Sequence, residues 1–212
     1  RSIDSILPPG TSRSTSSSPS VASSASLRAH PEEPDRMRYW LLKSEPDVFG
    51  IDNLAAAPQR TTGWEGVRNY QARNMLRDDF RQGDRAFFYH SSCAVPGVAG
   101  VVEVVREAYP DPTQFDATSE YYDAGSTRAA PRWFSVDVQL EKRIEPVITL
   151  PELREHAAGA LREMLILKRG NRLSVTPLTA AEWQCIVALR PSIASSRATK
   201  STAGSRTRSK KT

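Results

Sequence analysis

Apolar and polar positions along the chain fall into short segments with two different periods. Residues 38–43 (RYWLLK) are aromatic and aliphatic with no helix cap, and Pro46 stops the run, which is the pattern of a buried strand. Ser44, Glu45, Pro46 and Asp47 make a turn, and a short helix begins at Ile51. Glycines break residues 62–70 into a loop, residues 71–76 (QARNML) have helical propensity, and Gly83-Asp84 is a turn. Residues 85–90 (RAFFYH) and 97–106 (GVAGVVEVVR) read as two strands joined by a hairpin loop over 91–96. Between 109 and 131 the chain is rich in Pro, Gly and Asp, and an irregular stretch of that length inside a domain favours a functional role. Residues 132–143 alternate. Trp133, Ser135, Asp137 and Gln139 share one face and Phe134, Val136, Val138 and Leu140 the other, as in a half-buried strand. Short helices are predicted at 150–153 and 161–167 and a final strand at 172–175. Thr179 with Glu182 three residues on makes a capping box for a terminal helix through Leu189. Several strands with few crossover helices predict an α+β fold, a small mixed barrel with peripheral short helices.

Composition divides the 212 residues into three parts. Residues 1–36 hold 11 Ser and five Pro and almost no large apolar side chain, too little to offset chain entropy. Residues 191–212 carry Arg197, Lys200, Arg206, Arg208, Lys210 and Lys211 with no acid. Both ends are expected to be disordered, leaving 37–190 as the folded domain. The charge moves with them. Setting aside the four basic and four acidic residues of 1–36 and the six basic residues of 191–212, the totals of 29 and 24 leave 19 basic against 20 acidic, a net of −1. The basic balance therefore belongs to the C-terminal segment, which reads equally as a salt-sensitive attraction to phosphate and as a solubilising end. Met37 opens the ordered pattern abruptly, so residues 1–36 read as an upstream extension, with Met37 the expected natural start. Two cysteines, Cys93 and Cys185, form no disulfide framework and fit a reducing, cytoplasmic setting, here taken as bacterial and close to the nucleoid. No apolar stretch approaches membrane-spanning length, and a monomer is expected.

Enzyme signatures do not appear. The chain has no GxSxG, P-loop, GxGxxG or HExxH, and its histidines (His30, His90, His156) stand apart. Cys93 three residues after His90 is weak support for a nucleophilic dyad, and no cluster has metal-ligand spacing. Binding without catalysis, cofactor or metal is the expectation. Aromatic residues beside polar ones carry the remaining signal. Trp64 lies between Gly63 and Glu65-Gly66, where an indole face on a loop is a platform for a flat base, although a ring plugging one end of the barrel is the better account from composition alone. Trp40 neighbours Tyr39 on a strand. Tyr89, His90 and Ser91 end another, and Tyr121-Tyr122-Asp123 sits where a loop can close over a ligand. Arg68, Asn69, Arg73 and Asn74 surround a helix start, a setting that suits phosphate as well as ordinary solvation.

Ordered blocks then become recognisable: RYWLLKSEP at 38–46, WEGVRNYQARNML at 64–76, FYHSS at 88–92, Pro96-Gly97 before a Val-rich strand, Tyr109-Pro110-Asp111, Phe115-Asp116, Tyr121-Tyr122-Asp123, Pro131-Arg132-Trp133 and RLSV at 172–175. In this order they resemble the EVE domain family, over nearly all of residues 37–190. That resemblance implies a PUA-like fold, a mixed β-pseudobarrel related to the YTH readers of methylated adenine. It also implies a non-catalytic role: a modified base, chiefly modified cytosine such as 5-methylcytosine in DNA, flipped between aromatic faces. Trp64 matches the pocket tryptophan, which reverses the odds given by composition. Lys43, Ser44, Asn69, Tyr89, His90 and Ser91 match the blocks around it, and Trp40, Tyr89 or Trp133 would supply a further wall. Arg68 and Arg172, with the basic tail, would hold phosphates. Two alternatives stand beside this one, an RNA-binding module acting on transfer or ribosomal RNA and a binder of free nucleosides. The sequence departs from the family pattern at Cys93-Ala94-Val95 and at Asp123-Ala124-Gly125-Ser126, where a covering loop would be altered.

Overall fold

A computed structural model describes residues 37–191. The disorder expected for 1–36 and beyond Pro191, and the start proposed at Met37, concern residues outside that range or its first position. Six strands form one mixed sheet: β1 (Tyr39–Ser44), β2 (Thr61–Gly63), β3 (Arg85–His90), β4 (Gly97–Pro110), β5 (Phe134–Thr149) and β6 (Val175–Leu178), in the order β2-β5-β4-β3-β1-β6. Among the described residues only β1 and β3 run parallel, and the chain between them supplies helices α1 (Pro46–Phe49), α2 (Ile51–Ala56) and α3 (Tyr70–Asn74), the last continuing as a π-helical turn over Met75–Asp79. Helices α4 (Leu150–Glu155) and α5 (Ala180–Leu189) follow the long strands. The expected α+β class is what the chain adopts.

Alternation along the strands places a core on each face of the sheet. Trp40, Leu42, Ala86 and Phe88 point to one side with α2 and α3 over them; Leu41, Phe87 and Tyr89 point to the other, under α4 and α5. β5 contributes to both. Val101 and Val102 of β4 face Lys142 and Leu140 of β5, so Glu141 is an extra residue. This bulge switches the parity, which is why Leu140 joins the first core and Ile144 the second. The edge strands β2 and β6 are not paired to each other, so bulges bend the sheet without closing it. Pro177 sits on edge strand β6, where the missing N–H costs no ladder bond.

The Thr179–Glu182 capping box forms as predicted, with Glu182 N–H to Thr179 Oγ1 at 3.2 Å and Thr179 N–H to Glu182 Oε2 at 2.7 Å. Several elements differ from the sequence reading: α1 forms where a turn was expected, β2 opens the expected loop, and β4 and β5 extend past their predicted ends. The helix predicted at 161–167 shortens to a 3₁₀ turn at Leu165–Leu167 after a series of turns, its amides bonding three residues back, as Met164 N–H to Leu161 O and Lys168 N–H to Leu165 O. Leu161 and Met164 serve instead as single buried anchors. The last strand starts at Val175 rather than Arg172, because Asn171 Oδ1 accepts the Leu173 N–H at 3.0 Å and holds that stretch in a turn.

Candidate functional site

The end of β1 leaves Lys43 and Ser44 at a sheet rim, with α1 directly after. β2 runs into the loop 64–69, and the long connection from β4 to β5 crosses above. Between these segments lies a cavity of about 580 Å³. Trp64, Phe49, Val48 and Val67 give it apolar wall; Lys43, Ser44, Thr62, Glu65, Asn69 and Ser174 give it polar wall. Thr113, Glu120 and Tyr121 of the long connection complete it.

The loop bearing Trp64 is fixed from both sides. Its backbone N–H continues the sheet by bonding Val136 O at 2.7 Å. Gly66 takes φ +76°, and a Cβ there would come within 2.8 Å of the Tyr121 ring, so glycine is needed for both conformation and space. The Gly66 N–H donates to Asp111 Oδ2 at 2.9 Å. Arg68 then ties the two loops together. Nη1 donates to Asp111 Oδ2 (2.8 Å) and Val67 O (3.2 Å), Nη2 to Thr113 Oγ1 (2.9 Å) and Tyr121 O, and Nε also to Tyr121 O (2.9 Å). All five guanidinium N–H groups have internal partners, which leaves none for a phosphate. Burial alone would raise the Asp111 carboxyl, but bonds from Arg68, Thr113 and the Gly66 amide outweigh it and hold the group below the usual carboxylate range. Buried Gln114 organises the rest: Nε2 donates to Asp111 O and Trp133 O, and Oε1 accepts from Ser126 Oγ and the Arg132 and Trp133 amides. The long connection is therefore an ordered wall.

Unused hydrogen-bonding capacity inside the cavity defines what it can bind. The Trp64 ring meets Phe88 edge-on at 5.5 Å, and its indole N–H has no partner among the described residues. Ser44 Oγ donates to Phe49 O at 2.6 Å, so it presents only lone pairs inward. Asn69 caps α3, its Oδ1 accepting from the Gln71 and Ala72 amides, so only its NH₂ donors remain. Burial lowers the Lys43 ammonium pKa, an effect Glu45 partly opposes. Burial raises the Glu65 carboxyl, with Asp111 and Asp137 adding to it. The Lys43 cation, the carboxyls of Glu45, Glu65 and Glu120, amide donors and hydroxyl acceptors thus line one partly desolvated space beside an indole.

The sequence reading grouped further residues with these, and the structure places them elsewhere. Trp40 is in the core, stacked on Phe80 at 4.2 Å with Nε1 donating to Asp84 Oδ2 at 3.0 Å. Tyr89 alternates onto the opposite face of the sheet, where burial pushes its phenol up to about 12. His90 accepts the Ile51 N–H on Nε2 at 3.0 Å, capping α2 from behind the cavity. Ser91 binds Ser44 O through both its amide and hydroxyl, fastening β3 to the end of β1. Trp133 donates Nε1 to Asp123 Oδ2 at 2.7 Å and lies against Tyr70. Arg172 is exposed, two residues from the cavity's Ser174. Lys43, Ser44, Trp64, Arg68 and Asn69 are brought together. Glu65, Thr62 and Ser174 were not singled out, although Glu65 and Ser174 lie inside blocks that were. The departing segment 123–126 packs on Trp133 and Gln114 and does not reach the cavity. Among the described residues, no group of His, Cys, Asp and Glu is placed to hold a metal, and no helix is long and apolar enough to cross a membrane.

Residues 38–189 match the EVE domain family. The chain belongs to that family. This EVE domain is 45% identical over 166 residues to thymocyte nuclear protein 1 of Gallus gallus, covering 71% of this chain and 68% of that protein. Among solved structures, a Pseudomonas putida protein aligns at 47% identity and TM-score 0.68, covering 72% of this chain and 99% of that one. Human THYN1, crystallised in complex with 5-methylcytosine-containing DNA, aligns at 43% identity and TM-score 0.68, covering 72% and 96%.

Proposed function

We propose that this EVE domain binds nucleic acid without catalysis and reads a modified base, 5-methylcytosine in DNA before others, flipped into the cavity against Trp64. The observation that carries this reading is the cavity wall itself. An indole N–H without a partner among the described residues sits beside the Asn69 NH₂ and the inward lone pairs of Ser44 Oγ. A cytosine edge offers one amino donor and two acceptors. Glu65 and the Ser44 hydroxyl suit the donor; Lys43 and the Asn69 NH₂ suit the acceptors. A base taken from its stack at a cost of a few kcal/mol regains that through stacking and edge bonds. The extra methyl adds buried apolar area near Phe49 and Val48, enough for discrimination of about 1–3 kcal/mol. The complex of human THYN1 with 5-methylcytosine-containing DNA supports the same class of ligand.

The test is the affinity of the full chain for duplexes carrying one 5-methylcytosine or plain cytosine, with matching RNA strands as a further arm. Wild type is expected to prefer the modified duplex by about tenfold or more. Trp64→Leu, which keeps an apolar side chain but removes the ring, is expected to remain folded and lose that preference. Equal affinity of wild type for the two duplexes would overturn the modified-base reading, and stronger binding of RNA would redirect it.

A further inference from the structure

Outside the cavity mouth, Tyr70 follows the cavity's Asn69 directly and is 56% exposed. It belongs to a pattern. Of the four large apolar side chains left exposed among the described residues, Val48 lines the cavity, Tyr70 and Tyr122 each follow a residue that does, and Val95 is the exception, on the connection between β3 and β4. Exposed apolar surface is concentrated at this rim, which is how binding surfaces differ from scattered single residues.

The ring of Tyr70 is held rigidly. It stacks on buried Trp133 with centroids 4.8 Å apart and planes 30° apart, and Trp133 is fixed in turn by Asp123 and Gln114. The Arg68 guanidinium lies 5.3 Å from both the Trp133 and the Tyr121 rings. One continuous column therefore runs from Tyr121 in the cavity wall through Arg68 and Trp133 to Tyr70 at the surface. Beside it, the Arg73 guanidinium sits 5.0 Å from the Tyr70 ring. Arg73 donates through Nε to Asn74 Oδ1 (2.8 Å) and through Nη1 to Arg132 O, both neutral acceptors. It forms no ion pair among the described residues, and Nη2 has no partner there. Covering Trp133 takes one face of Tyr70; what remains is open ring surface next to a cation with unengaged donors.

We propose that Tyr70 and Arg73 form a second contact for the strand whose base enters the cavity, Tyr70 stacking a neighbouring base and Arg73 holding a phosphate. This rests on the function proposed above. A flat ring and a guanidinium side by side match a nucleotide, which presents a base face and a phosphate together. An acidic peptide would engage the guanidinium and leave the ring unused. The contact is indifferent to the modification, so it contributes affinity, while the cavity contributes selectivity.

The experiment measures binding of the full chain to the 5-methylcytosine and plain duplexes for Tyr70→Ala, Tyr70→Trp, Arg73→Gln and Val95→Ala, the last altering an exposed residue of the β3–β4 connection that does not line the cavity. Tyr70→Ala is expected to weaken both duplexes by about five- to thirtyfold with their ratio unchanged, and Tyr70→Trp to retain affinity. Arg73→Gln is expected to weaken both and reduce the slope of log affinity against log salt by about one. Val95→Ala is expected to match wild type. Wild-type affinity in folded Tyr70→Ala and Arg73→Gln, with Trp64→Leu still losing discrimination, overturns this inference and leaves the reader standing. No binding by wild type removes the reader and this contact with it.

Discussion

Trp40 and Trp64 belong to the same hydrophobic cluster and are buried almost equally, at 3% and 7% exposed. They differ in what surrounds the indole. Trp40 lies on a strand, face to face with Phe80, its N–H satisfied by Asp84. Trp64 lies on a loop, touches Phe88 only edge-on, faces a cavity and keeps its N–H unengaged. Burial alone therefore does not separate a structural aromatic from a ligand-facing one. The unsatisfied donor and the empty volume next to it do.

The sharpest way to break this comparison is to truncate Trp40. Trp40→Ala removes a stacked, fully packed ring and one of the bonds to buried Asp84, which keeps the Arg81 and Arg38 amides. A loss of about 3–5 kcal/mol is expected in urea denaturation. Whatever fraction remains folded is expected to keep its preference for the modified duplex. A stability loss no larger than that of Trp64→Leu would erase the distinction drawn between the two residues.

The next effect separates what holds Trp64 in place from what it binds. Arg68→Met leaves buried Asp111 without its cation, at a cost of about 2–4 kcal/mol, toward the lower end because the guanidinium is partly accessible. The acid limb provides an independent check. Asp111 is held below its ordinary range in the folded chain, so its contribution is fully present above about pH 4, the unfolded value, and is lost as pH falls further. Denaturation midpoints between pH 5 and pH 3 are expected to fall more steeply in wild type than in Arg68→Met. Parallel curves would show that the Arg68–Asp111 pair is not what closes the two loops.

Strand periodicity explains how much of this was legible in the sequence. The alternation of residues 134–140, the hairpin, the turns and the Thr179–Glu182 box are local signals, and local physics determines them. The bulge at Glu141 is not such a signal, so the extent of β5 and its switch of faces were not foreseen. Trp64, Ser44, Lys43 and Asn69 were found because they stand in ordered motif blocks. Trp40, Tyr89, His90 and Trp133 stand in the same blocks but face away from the cavity or behind it. Strand parity decides that for Tyr89, whereas Trp40 shares the face of Trp64 and is held, like His90 and Trp133, by the partners it engages. Gln114, the hub of the long connection, gave no sign: one glutamine in a polar loop looks like any other until the five groups it bonds are assembled around it.

The smallest predicted effect concerns the support behind Trp64. His90 meets Phe88 edge-on at 5.6 Å, and Phe88 is the ring that Trp64 touches, so the histidine buttresses the cavity indirectly. Its Nε2 accepts the Ile51 N–H at the start of α2, which requires that nitrogen to be unprotonated. Burial lowers the His90 pKa, with Asp52 opposing in part. The unfolded chain therefore takes up this proton at a higher pH than the folded chain does. Stability is full above about pH 6.5, the unfolded value, and declines as pH falls from there toward the lower folded value. Urea midpoints of wild type at pH 7.5, 6.5 and 5.5 are expected to fall by less than either preceding variant shifts them. His90→Gln can still offer an amide oxygen to Ile51 and is expected to flatten the dependence. If the two proteins decline in parallel, the titrating group lies elsewhere, and the support behind Trp64 does not depend on a neutral His90.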